Sequence, residues 1–158
     1  MVINGMDIMK NDRIWKWFDS GDILNALIGS NKYFIPDVTY RDSHDLILIL
    51  SQLILWADNT NNNEIAANEL EKYIHTVINN DELEKALDII RTYYIVASDM
   101  KALLPIDELG MLDKFIELIN RNMDKVSNNT EIINVIVSTA EYWPALADRL
   151  KISVQITD

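Results

Sequence analysis

Residues 46–57 read Leu-Ile-Leu-Ile-Leu-Ser-Gln-Leu-Ile-Leu-Trp-Ala, an apolar run interrupted only by Ser51 and Gln52. A helix of this composition keeps almost no polar stripe for water, so its place is the middle of a domain. The Leu46–Leu50 stretch alone also fits a buried strand. Its flank favours a helix: Asp42 supplies an N-cap, and Asp45 puts negative charge in the first turn, where the helix dipole welcomes it. The run therefore predicts a helix from Asp42 to about Asp58. Crossing a bilayer takes roughly 20 consecutive apolar residues, more than this stretch offers, so it reads as a core helix and not a membrane span.

The rest of the chain must build around that segment. With 158 residues, 49% apolar and 25% charged, the composition is that of a soluble globular protein. Four glycines and three prolines are too few for a turn-dense sandwich or barrel. There is no cysteine, which excludes disulfides, thiolate metal sites and cysteine nucleophiles. No linker, low-complexity tail or internal repeat stands out. The expectation is one compact all-α domain over residues 1–158, a bundle of about six or seven helices.

Periodicity places the elements. Asn11-Asp12 caps a short helix bearing Ile14, Trp15, Trp17 and Phe18, and Ile23, Leu24, Leu27 and Ile28 form the face of another. Residues 30–41 look irregular around Pro36, with a short extended piece at Val38–Tyr40. A helix is predicted from Asn63 to Ile78. The next runs from Asp81 to Leu103, with Asp81 and Glu84 spaced as a capping box. Leu104-Pro105 stops it, and Pro105 opens a helix carrying Leu109, Leu112, Phe115, Ile116, Ile119, Met123 and Val126. A last helix starts near Asn128–Thr130, with a kink or restart at Tyr142–Pro144, where proline removes a backbone donor. From Lys151 the period changes: Ile152, Val154 and Ile156 alternate with Ser153 and Gln155, which predicts an extended tail over 151–158.

Charge is the strongest functional signal. The formal net charge is −11, and residues 42–148 hold 19 acids against seven bases. Such a surface repels nucleic-acid phosphates and anionic lipid and speeds encounter with cations. Neither nucleic acid nor a membrane is expected as a partner. The opening MVINGMDIMKNDR lacks a signal peptide's basic start and apolar middle, so a cytoplasmic location is expected.

Few motifs carry chemistry. There is no GxGxxG, P-loop or GxSxG sequence. Arg13-Ile14-Trp15-Lys16-Trp17 interleaves cations with aromatics, but its tryptophans are needed for packing. His44-Asp45 spells the pair that names the HD metal phosphohydrolases. No histidine precedes it, however, so their metal set is incomplete. His75 follows Glu71 by four residues, which suits a helix pair better than a ligand set. Residues 58–69 resemble the calcium loop of EF-hand proteins. The resemblance puts Asp58, Thr60, Asn62, Glu64 and Glu69 on the ion, with Ile65 as the loop's apolar residue. Asn63 stands where the motif wants glycine, and a second loop at Asn120–Glu131 fits poorly. The alternative is a plain helix–helix turn.

Two acidic clusters remain. Asp81, Glu82, Glu84 and Asp88 crowd the start of one helix, and Asp107, Glu108, Asp113 and Glu117 the start of the next. Dipoles favour acids there, yet caps need only one or two. The surplus suggests a binding face, with Tyr93, expected at the surface, as an apolar anchor. In size, acidity and missing catalytic groups the chain resembles the small cytoplasmic immunity proteins that bacteria pair with toxins. The resemblance implies a non-enzymatic inhibitor, without cofactor or metal, that occludes a basic toxin such as a nuclease. Three rivals stand beside it: a weak calcium binder at residues 58–69, an enzyme using helix carboxylates and a metal, and a structural or oligomerising module joined through its tail by strand addition.

Overall fold

The computed structural model describes the backbone at residues 2–3, 6–7, 10–21, 23 and 41–157, and side chains at residues 10–21, 23 and 46–150. Two short strands, β1 (Val2–Ile3) and β2 (Met6–Asp7), pair antiparallel with Val2 opposite Asp7 and Ile3 opposite Met6. Asn4-Gly5 separates them in sequence, a dipeptide suited to tight hairpins that a search for apolar periodicity passes over. Everything else assigned among the described residues is helical: α1 (Asp12–Asp19), α2 (Arg41–Thr60), α3 (Asn63–Asn79) and α4 (Leu83–Met100). They are followed by α5 (Glu108–Arg121), α6 (Met123–Ser127), α7 (Thr130–Tyr142) and α8 (Pro144–Thr157). The chain is an all-α protein, as its periodicity predicts.

Two compact units divide these elements. One holds residues 1–73 and 95–106, the other 74–94 and 107–158. Helices α3 and α4 each supply residues to both.

In the first unit α2 is the core element. Leu46, Ile49, Leu50, Leu53, Ile54, Leu55 and Trp56 are all buried, so helix wins over strand for the LILIL run. The two polar breaks are accommodated differently. Ser51 returns its hydroxyl to the Leu48 carbonyl, which any helix permits. Gln52, only 2% exposed, reaches α1. Its Oε1 accepts from the Asn11 backbone N–H at 2.9 Å and from Trp15 Nε1 at 2.8 Å. A second tryptophan repeats the device in reverse, with Trp56 Nε1 on α2 donating to Asp19 Oδ1 on α1 at 2.9 Å. Phe18 packs against Trp56 with ring centroids 5.5 Å apart. Asn11 caps α1 as expected, its side chain accepting from the Ile14 N–H. Ile23 is buried; the predicted helix beyond it, the Val38–Tyr40 piece and residues 30–40 of the stretch 30–41 read as irregular lie outside the described residues, whereas Arg41 is not irregular but opens α2.

The second unit is built on aromatic packing. Trp143 is fully buried, stacks on Tyr94 with centroids 5.2 Å apart and meets Phe115 edge-on at 5.7 Å. Tyr93 lies edge-on to Tyr94 at 5.0 Å. Leu112, Leu118 and Ile119 on α5 and Ile132 and Ile136 on α7 complete the buried faces.

Several boundaries differ from the periodicity reading, each for a local reason. Asp81 does not cap α4: its φ is +61°, and the first turn is held by the Glu82 carbonyl accepting from the Ala86 N–H. The capping box with Glu84 is therefore not formed. Pro105 does not open α5 but lies in the preceding loop; Asp107 is the N-cap, its carboxylate accepting from the Gly110 N–H. The long helix predicted to reach Val126 breaks at Asn122, whose side-chain amide donates to the Leu118 carbonyl. Leu109, counted on the inner face, is 70% exposed. The restart at proline occurs where expected, with Trp143 alone separating α7 from α8. The extended tail does not occur: α8 continues to Thr157. A nucleated helix gains one internal hydrogen bond per added residue, whereas a lone strand needs another strand's backbone to satisfy its own.

Candidate functional site

The eight candidate acids fall into three groups according to what each carboxylate touches. Two serve the fold. Asp107 caps α5, and Glu108 Oε1 accepts from the buried Trp143 Nε1 at 2.8 Å. Four lie against the protein's own arginines. Arg91 holds Asp88 at 3.0 Å, Arg149 holds Asp113 at 2.8 Å, and Arg121 stands 3.6 Å from Asp81 and 4.0 Å from Glu117. Glu82 and Glu84 form the third group, exposed and without an ion pair among the described residues.

The Asp81 contacts show how the second unit is tied together. Arg121 Nη2 donates to the Ile78 carbonyl at 3.3 Å, covering the exposed end of α3. Its neighbour Asn122, buried at the end of α5, donates from Nδ2 to Asp81 Oδ1 at 3.0 Å. Both groups converge on the turn between α3 and α4, where Asp81 takes up the left-handed backbone region that aspartate tolerates better than most residues. One of the acids read as surplus, Asp81, is thus committed to holding a turn. Spacing on one helix shows acids clearly but conceals an arginine some 40 positions later in the chain.

Tyr93, expected at the surface, does not reach it. It is 0% exposed and belongs to the aromatic core, so it cannot anchor a partner. On α4, apolar and aromatic positions such as Ile89, Ile90, Tyr93, Tyr94, Val96 and Ala97 are buried on more than one face. Such a helix does not present Tyr93 outward as an anchor. Among the described residues of the second unit, the large apolar side chains that do reach the surface are Leu109, Ile133, Val137 and Tyr142. Sequence spacing offers no signal for Leu109, because its position matches the buried stripe. Tyr94, beside Tyr93, has its phenol pKa pushed far above the ordinary tyrosine value, first by burial and then by the Glu108 carboxylate and Tyr93.

The calcium-loop reading does not survive the backbone. Asp58 and Thr60 lie on α2, Glu64 and Glu69 on α3, and only residues 61–62 separate the helices. A turn this short cannot wrap twelve residues around an ion. Three of the proposed ligands are also engaged elsewhere. Thr60 Oγ1 donates to the Trp56 carbonyl at 2.6 Å and accepts from Asn62 Nδ2 at 2.8 Å, while Glu69 pairs with Lys72 at 3.1 Å. Asn61 carries the left-handed φ of +60° that lets the chain turn. The weak second loop, Asn120–Glu131, likewise spans α6 and the ends of α5 and α7. Among the described residues no group of three or more His, Asp or Glu side chains could hold a metal ion.

The other motifs contribute little. The backbone at His44-Asp45 is helical, as expected; their side chains lie outside the described residues. Glu71 and His75 are half-buried on α3. Arg13 on α1 stacks over Trp17 at 5.7 Å and Lys10, just before the helix, over Trp15 at 4.7 Å, so both cations rest on the protein's own rings. No described helix is long and apolar enough to cross a membrane. Comparison with protein-family models, with curated proteins and with solved structures finds no match.

Proposed function

We propose that this chain is a non-enzymatic binding protein whose acidic helical surface meets a basic protein partner, in the manner of a bacterial immunity protein occluding a cationic toxin such as a nuclease. The observation that carries the reading is the charge left after internal pairing. The second unit has 13 acids against seven bases, and Glu82 and Glu84 project from the start of α4 unpaired among the described residues. Unpaired exposed carboxylates keep their long-range field, whereas those facing an arginine lose most of it within one Debye length, about 8–10 Å. Glu82 and Glu84 are accordingly the first contacts. Asp88, Asp113 and Glu117 act only where a partner's cation displaces the internal arginine. Asp81, Asp107 and Glu108 hold the turns and helix ends that carry this surface.

Capture of the basic partner from the native host, followed by association kinetics, tests the reading. The on-rate falls steeply between about 50 and about 500 mM salt, because steering is screened. Glu82→Lys with Glu84→Lys lowers it further while the unfolding transition stays in place. An on-rate that ignores salt, or turnover of a substrate by the purified chain, overturns the proposal.

A further inference from the structure

We draw no further inference here: the strongest candidate, the exposed apolar pair Ile133 and Val137 one turn apart on α7, carries nothing because nothing in the structure shows what covers it.

Discussion

The indole of Trp143 donates to the carboxylate of Glu108 at 2.8 Å across 35 residues of sequence, fixing the first turn of α5 against the break between α7 and α8. Trp143 has no exposed surface, so its N–H has no water to fall back on. Leaving such a donor unsatisfied costs about 1–3 kcal/mol. Glu108→Ala is expected to lower unfolding free energy by about that amount, and Glu108→Gln, which keeps an acceptor, by less than half of it. Urea denaturation followed by tryptophan fluorescence measures both. Equal stability of Glu108→Ala and wild type would show that the bond is not a support, and would return Glu108 to the functional candidates.

Tyr94 gives the same cluster a pH signature. Its phenol titrates near 10 in the unfolded chain and well above that when folded, because burial and the Glu108 charge oppose ionisation. Below pH 10 both states hold the proton, and the contribution is fully present. As pH rises past 10 the unfolded chain releases a proton that the folded chain keeps, so stability falls by up to about 1.4 kcal/mol per pH unit. Tyr94→Phe is expected to flatten this alkaline loss. Urea midpoints at closely spaced alkaline pH values check it, and an unchanged slope in the variant would assign the loss to other groups.

Gln52 offers the sharpest test in the first unit. One buried Oε1 accepts both the Asn11 N–H and the Trp15 indole N–H. Gln52→Leu fills similar volume but strands two donors, an expected loss of about 2–4 kcal/mol. The change should also alter Trp15 emission, since its indole nitrogen loses its partner. A variant as stable as wild type would mean that water reaches this corner of the unit.

The contrast between α2 and α4 explains how much the sequence could reveal. In α2, apolar side chains on nearly every face force most of them into the core, Ile47 at 43% exposed being the exception, and no tertiary detail is needed to see it. Its neighbour-dependent feature, Gln52, reads in the sequence as a mere interruption because its partners lie 37 and 41 residues away. The same blindness governs the candidate site. Acid spacing within α4 and α5 is plain, but Arg121, Arg149 and Trp143 reach those acids only after the chain folds back. Boundaries failed where one polar side chain outweighs periodicity, as Asn122 does in ending α5 and Asp107 in starting it. Alternation in the tail does not give a strand, because a period of two predicts one only when another strand is present to pair with it.

Calcium separates two readings of the α2–α3 turn at little effort. Trp56 lies two residues before Asp58 and is hydrogen-bonded to Asp19. Its emission would report any ion gathered at residues 58–69. Titration with calcium chloride into the millimolar range is expected to leave the fluorescence and the thermal midpoint unchanged. A saturable shift would mean that the α2–α3 turn reopens to bind the ion.

Asp81 distinguishes an acid that supports the fold from one that faces a partner. Its φ of +61° costs an ordinary residue about 1–2 kcal/mol, most for a β-branched side chain. Its carboxylate also accepts from Asn122, a buried residue, and lies near Arg121. Asp81→Asn keeps the tolerated backbone and an acceptor, and is expected to stay within about 0.5 kcal/mol of wild type. Asp81→Val loses both, with an expected cost of about 2–3 kcal/mol from backbone strain and the abandoned Asn122 amide. Glu84→Val, three positions on and exposed, is expected to change stability by less than about 0.5 kcal/mol. Chemical denaturation of the three variants checks the ordering. If Asp81→Val proved as stable as Glu84→Val, the turn between α3 and α4 would not depend on Arg121 and Asn122, and Asp81 would rejoin Glu82 and Glu84 as a residue free to meet a partner.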